Sequence, residues 1–243
     1  MTYCVGMRLD KGLVFMSDTR TNSGVDNVFT FRKMFTWSKP GDRVITLMTA
    51  GNLATTQAVV SLLDERMKVP EERKPSILEV PTMFQVAKLV GDTLKETVLA
   101  QTGNGMTADT TFSATVIVGG QIAGSEPRLF LIYPEGNFVE ATDENPYFQI
   151  GEAKYGRPIL LRGYDRTMDF EAAVKLILLS FDSTLKANLS VGMPLDLLAY
   201  EADSLSVEHE KRFEKDDAYF AGLSEAWGDA LRSGMQSLPD FRF

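Results

Sequence analysis

The sequence predicts an α+β fold, a four-layer αββα sandwich of two antiparallel sheets packed face to face between helices. Three observations predict it. The strand segments alternate with bulky residues on both faces, so each sheet is buried on two sides: against the other sheet, and against helices. The elements run in the order strands, two helices, strands, helix, strand, helix. No internal repeat, low-complexity segment or linker interrupts them, and 243 residues, 44% hydrophobic and 24% charged, suit one domain spanning 1–243.

The chain opens with two strands, Tyr3 to Leu9 and Leu13 to Asp18, joined by the tight turn Asp10-Lys11-Gly12. Tyr3, Val5, Met7 and Leu9 share one face; Leu13, Phe15 and Ser17 alternate with Val14, Met16 and Asp18. A loop from Thr21 to Val28 precedes a third strand, Thr30 to Trp37, and a fourth runs from Arg43 to Thr49, ending at Ala50-Gly51. Asn52 suits the N-cap of a helix whose Leu53, Gln57, Val60, Leu63 and Met67 repeat at helical spacing.

Val69 to Val80 reads as a charged connection punctuated by proline. Thr82 and Gln85 open a second helix as a capping box, with Met83, Val86, Val90, Leu94 and Val98 inward. Gly103-Asn104-Gly105 lacks a G-x-G-x-x-G setting and reads as a loop. Strands follow at Thr111–Val118, Arg128–Tyr133 and Phe138–Ala141, with another ending at Ile150-Gly151. A third helix spans about Met168 to Leu185, Leu195–Glu201 returns as a strand, and a final helix carries Tyr219, Leu223, Trp227 and Leu231.

Several functions are excluded or poorly served. A net charge of −8 argues against nucleic acid or anionic membrane as partner. Cys4 is the single cysteine, which rules out an intrachain disulfide and a cysteine metal cluster. Arg8 and Asp10 interrupt the first apolar stretch, so no secretory signal is read, and no apolar run approaches the ~20 residues of a membrane span. A cytosolic (cytoplasmic) compartment is expected. The only histidine, His209, lies between Glu208 and Glu210 as a solvated residue, and there is no G-x-S-x-G elbow, so a Ser-His-Asp triad has no support. Asp182, Asp196 and Glu201 read as surface acids and not as a Mg²⁺ site. No cofactor is called for.

The chemistry concentrates at the start. Met1 precedes a small residue, the setting in which initiator methionine is usually trimmed. Trimming would leave Thr2 with a hydroxyl and a free α-amine on one carbon skeleton, a nucleophile beside a base. The hairpin carries Asp18 towards Thr2. On these two residues alone, an ordinary strand start and a turn former explain the pattern. Lys33 adds to it, because it shares a face with Phe31, Phe35 and Trp37. A buried ammonium needs a partner, and Asp18 is the nearest candidate; the alternative is an edge strand whose lysine snorkels to water. Gly51, at a strand-to-helix junction, offers an N–H that could serve an oxyanion, and packing explains it equally well.

Thr2, the S-D-x-R at Ser17-Asp18-Thr19-Arg20, Lys33 and Ala50-Gly51 resemble the proteasome β-type N-terminal nucleophile hydrolases over the whole chain. The resemblance is greatest to the bacterial Anbu branch, the proposed ancestral β-type subunit. M-T-Y-C-V at the start, T-N-S-G-V-D from 21 to 26, T-F-R-K-M from 30 to 34, K-Y-G-R-P-I-L from 154 to 160, S-F-D-S-T from 180 to 184 and N-L-S-V-G-x-P from 188 to 194 carry it. It implies amide or peptide hydrolysis with Thr2 as nucleophile and its freed amine as general base. Lys33, paired with Asp18, would sit beside it, and the Gly51 N–H would serve the oxyanion. Ser190 resembles a later serine of the family. Glu152-Ala153 stands where a further serine would be sought, and no aspartate stands at the family's offset before Ser190. The resemblance also implies a homo-oligomer of many subunits acting on a peptide or amide, and it names no ATPase partner. Two rivals are a scaffold subunit without catalysis and an amidase for a small amide or isopeptide.

Overall fold

The computed structural model describes residues 1–23, 27–68, 75–102 and 112–243. The chain begins with β1 (Tyr3–Leu9) and β2 (Gly12–Asp18), a hairpin whose register sets Cys4 opposite Ser17 and Leu9 opposite Gly12. Gly12 has φ +145°, a conformation that side chains resist. The ribbon β3 (Arg20–Ser23) and β4 (Asn27–Thr30) follows, then β5 (Met34–Lys39) and β6 (Arg43–Gly51). Helices α1 (Leu53–Lys68) and α2 (Met83–Thr102) lead to β7 (Ala114–Ile122), β8 (Arg128–Ile132), β9 (Phe138–Glu140) and β10 (Tyr147–Gly151). The chain closes with α3 (Arg157–Gly163), α4 (Phe170–Ala187), β11 (Leu195–Glu201), β12 (His209–Phe213) and α5 (Ala218–Gln236).

Two five-stranded antiparallel sheets result, ordered β10-β1-β2-β11-β12 and β5-β6-β7-β8-β9. The alternation in the first hairpin separates two cores. Tyr3, Val5, Met7, Val14 and Met16 face out, onto Leu160 of α3 and Ala173, Ile177 and Phe181 of α4. Cys4, Leu13 and Phe15 face in, onto Val44, Met48, Ile117 and Leu129 of the second sheet. The sheets approach so closely at Gly6 that a Cβ there would come within 2.9 Å of Ile117. Outside the second sheet, Val59 and Leu63 of α1 and Val86, Val90, Leu94 and Val98 of α2 cover Ile45, Leu47, Val116 and Val118. The four αββα layers are all present.

Several boundaries differ from the sequence reading. The third strand is broken: β4 ends at Thr30, β5 begins at Met34, and Lys33 lies between them. The backbone bends there because the Phe31 N–H donates to Thr19 O at 2.9 Å and Lys33 O accepts from the Thr49 N–H at 2.9 Å. In α1 the buried side chains include Thr55, Thr56 and Val59, while Gln57 is exposed. Asp182 and Asp196 are buried and not surface acids; Lys186 pairs with the first at 3.1 Å and Arg212 with the second at 3.1 Å. Strands β3, β4 and β12 and helix α3 are additional. The Gly103-Asn104-Gly105 loop, part of the 69–80 connection and the centre of the loop from 21 to 28 lie outside the described residues.

Candidate active site

The site forms where β1 begins and β2 ends. Asp18 is fully buried, and its carboxylate collects donors from three parts of the chain. The Tyr3 N–H donates to Oδ1 at 3.0 Å, Lys33 Nζ to the same oxygen at 2.7 Å, and the Gly192 N–H to Oδ2 at 3.3 Å. The last contact follows from sheet order: Asp18 pairs with Leu195 of β11, which brings residues 188–194 over the carboxylate. Thr19 Oγ1 holds that loop through Pro194 O at 2.8 Å, and Arg20 Nη1 through Leu189 O at 2.7 Å. Gly192 leaves room for the Arg20 guanidinium, since a Cβ there would sit 2.2 Å from its Nε.

Lys33 is 5% exposed, and its ammonium also donates to Arg20 O at 2.5 Å and to Met1 O at 3.4 Å. That carbonyl belongs to the peptide that joins Met1 to Thr2, so the cation lies beside the bond whose removal would free the Thr2 amine. Burial pushes the Asp18 carboxyl above its ordinary value, and the Lys33 ammonium, the Tyr3 N–H and the Gly192 N–H pull it back. Three donors on one carboxylate suit its ionised form. The amine of Met1 is held below its ordinary value of 8.0, first by desolvation and then by Lys33, against the opposing carboxylates of Asp18 and Glu152.

Thr2 is buried on the floor of a cleft of about 500 Å³ between the two sheets. Lys33, Gly51, Asn52, Thr21, Arg32 and Gln57 are among its walls. Gly51 has φ +118°, and a Cβ would lie 2.4 Å from Ser113 O. Asn52 caps α1 by accepting from the Thr55 N–H at 3.1 Å. On the other wall, Gly151 has φ +80°, and its missing Cβ would stand 1.9 Å from Thr2 O. Cys4 is no rival nucleophile: it is fully buried, its Sγ donates to Thr49 O at 3.8 Å, and burial pushes its thiol up.

Thr2, Asp18, Lys33 and Gly51 are thus brought together. Ser190 is not among the residues lining the cleft; it is half-buried in the loop over Asp18, with its N–H donating to Asn188 Oδ1 at 2.9 Å. Sequence reasoning missed the roles of Gly151, Arg20 and Gly192 as packing partners, although S-D-x-R and the glycine ending β10 were visible signals. Among the described residues, one trio of possible metal ligands, Glu201, Glu208 and His209, is exposed and stands at the far end of β11.

The proteasome subunit family model matches residues 2–194. The chain belongs to the proteasome subunit family. Solved structures of Anbu proteins place it further, in the Anbu (ancestral β-subunit) branch. Anbu from Hyphomicrobium sp. strain MC1 is 50% identical, with full coverage of both chains and a TM-score of 0.91. Anbu from Yersinia bercovieri is 45% identical, again over all of both chains, with a TM-score of 0.93. A helical assembly of the Anbu complex from Pseudomonas aeruginosa is 46% identical over 99% of this chain and 98% of that one, with a TM-score of 0.92. The proteasome subunit beta of Methanocaldococcus jannaschii is 25% identical over 217 residues, 88% of each chain. Family membership supports a hydrolase of the proteasome β type. No helix among the described residues is long and apolar enough to cross a membrane.

Proposed function

We propose that the protein is an N-terminal threonine hydrolase that cleaves amide or peptide bonds once Met1 is removed. The observation that carries this reading is the Lys33 ammonium, buried between Asp18 Oδ1 at 2.7 Å and the carbonyl oxygen of Met1, on the peptide that ends at Thr2, at 3.4 Å. A cation so placed lowers the pKa of an adjacent amine and stabilises a developing alkoxide. Holding it there requires Asp18, because an unpaired buried ammonium is costly.

In the first step the freed Thr2 amine, directly or through a water, takes the hydroxyl proton while Oγ attacks the substrate carbonyl. The oxyanion forms beside Gly51, whose N–H is assigned as donor. The tetrahedral centre collapses with loss of the amine leaving group, which receives the proton and leaves an ester on Thr2. Water, deprotonated by the same amine, then attacks the ester, and the acid product departs as the Thr2 hydroxyl regains its proton. Ser190 is assigned a supporting place in the loop that closes over Asp18. The working form is assigned as a homo-oligomer of many subunits, a reading that the helical assembly of the Anbu complex from Pseudomonas aeruginosa supports.

The test compares hydrolysis of peptide amides by Thr2→Ala, Thr2→Ser and a form retaining Met1. Thr2→Ala keeps the amine and loses the hydroxyl, whereas retained Met1 does the reverse. Both should lower turnover by orders of magnitude, since the two groups act as a unit. Thr2→Ser should keep part of the rate. Undiminished hydrolysis by Thr2→Ala would move the chemistry elsewhere.

A further inference from the structure

Glu152 is a buried acid that the mechanism above leaves unused. It is 8% exposed and follows directly on Gly151, the residue whose lack of a Cβ lets β10 close on Thr2. Its own N–H donates to Thr2 O at 2.7 Å, which fixes its backbone to the residue assigned as nucleophile. Its side chain is also held. Asn188 Nδ2 donates to Oε2 at 2.8 Å, and Lys154 Nζ lies 3.6 Å from Oε1. A buried carboxylate with one oxygen fixed by a neutral amide keeps most of its negative charge for its surroundings. Asn188 reaches it from the C-terminal end of α4, in the same turn where its Oδ1 accepts from the Ser190 N–H. One asparagine thus ties the loop over Asp18 to the carboxylate beside Thr2.

We propose that Glu152, oriented by Asn188 and tied through its backbone to Thr2, is a positioning residue for the freed α-amine of Thr2. This rests on the reading of Thr2 as the terminal nucleophile. The charged groups acting on the chain-terminal amine of Met1 are Lys33, which lowers its pKa, and Asp18 and Glu152, which raise it; Arg32 lines the same cleft, and Lys154 lies 3.6 Å from Glu152. Lys33 and Asp18 pair closely at 2.7 Å and are both buried, whereas the cation paired with Glu152, Lys154, is 3.6 Å away and largely in solvent, so Glu152 is the less compensated of the two carboxylates. Its consequence is a base that stays protonated to higher pH than Lys33 and burial alone would leave it, and an ammonium held on the nucleophile's side of the cleft.

The sign is definite. Glu152→Gln keeps the size and the acceptor oxygen and removes the charge, so the Thr2 amine should titrate lower. The acid limb of kcat/KM should move down with it. Asn188→Ala should move both in the same direction by less, because Glu152 stays charged but loses its orientation. The amine can be followed without any turnover, by the pH dependence of its acylation, read as mass on the N-terminal peptide. Wild type and both variants are prepared as the full-length assembly, with intact mass showing Thr2 at the terminus.

An amine that titrates lower in Glu152→Gln supports the assignment, even in a preparation that hydrolyses nothing, which would count against the peptidase reading alone. An amine titrating identically in wild type and Glu152→Gln overturns the assignment while leaving Thr2 as nucleophile. Intact masses that retain Met1 overturn both.

Discussion

Removing Asp18 would leave the Lys33 ammonium buried with only carbonyl oxygens for partners. Asp18→Ala should therefore lower stability by about 3–5 kcal/mol; denaturant unfolding checks this, and an unchanged midpoint contradicts it. Lys33→Met added to Asp18→Ala should recover part of the loss, because the stranded charge is gone. A second consequence concerns pH. The Lys33 ammonium that helps hold the Met1 amine below its ordinary 8.0 also donates to the carbonyl of the Met1–Thr2 peptide. The neutral amine is the working base, so kcat/KM should rise with pH through the amine's pKa and level off before 8.0. A profile still rising well above that value would show an amine that Lys33 does not reach. At this scale Thr2, Asp18, Lys33 and Gly51 could be read in the sequence, because each carries its own chemical signal: a hydroxyl next to a terminus, a charge on an apolar face, a glycine at a junction. Gly151 could not be read the same way. Its necessity comes from the approach of Thr2 O to within 1.9 Å of a Cβ that is absent, a contact between residues nearly 150 positions apart.

At the scale of elements, two short backbone junctions position the cleft. Gly151→Ala forces the end of β10 to move, because φ is +80° and the new Cβ meets the Thr2 carbonyl. Turnover should fall by about 10²-fold, as expected when a reacting group is displaced by about 1 Å; steady-state kinetics on folded protein is the check. Asn52→Ala removes the cap of α1 and should cost about 1 kcal/mol by urea unfolding. The first hairpin, β6, α2 and β11 were legible because apolar period and punctuation agree in them: Gly12 ends a two-residue turn, Thr82 Oγ1 accepts from the Gln85 N–H at 3.2 Å, and β11 spans the stretch read from Leu195 to Glu201. Strand β12 was hidden because His209-Glu210-Lys211-Arg212 is polar on both faces and only Phe213 is buried. It is an edge strand, held by pairing with β11 and not by an apolar stripe. Helix α3 is only seven residues long, too short for its period to show. Lys33 was placed within a strand because Phe31, Phe35 and Trp37 alternate around it, and that alternation conceals the bend between β4 and β5.

For the whole molecule, the two-sheet sandwich was legible because bulky residues on both faces of a strand demand two covered sides. What assembles onto it was not, since an outer face is written in the same residues as an inner one. Helix α5 has no buried residue, and Leu231, Met235, Leu238 and Phe241 are all more than half exposed. A homo-oligomer should therefore appear by light scattering, well above the 26.9 kDa of one chain, and a monomer at micromolar concentration would contradict the assembly. The central claim is that one residue, Thr2, provides both hydroxyl and amine. An epoxyketone tests it most directly, because its ring-closed adduct consumes both groups. Peptide mass analysis after labelling should find the added mass on the N-terminal peptide beginning at Thr2, and none on protein that retains Met1 or carries Thr2→Ala. Adduct formation that persists in Thr2→Ala, or hydrolysis by protein whose terminus is still Met1, would contradict the account.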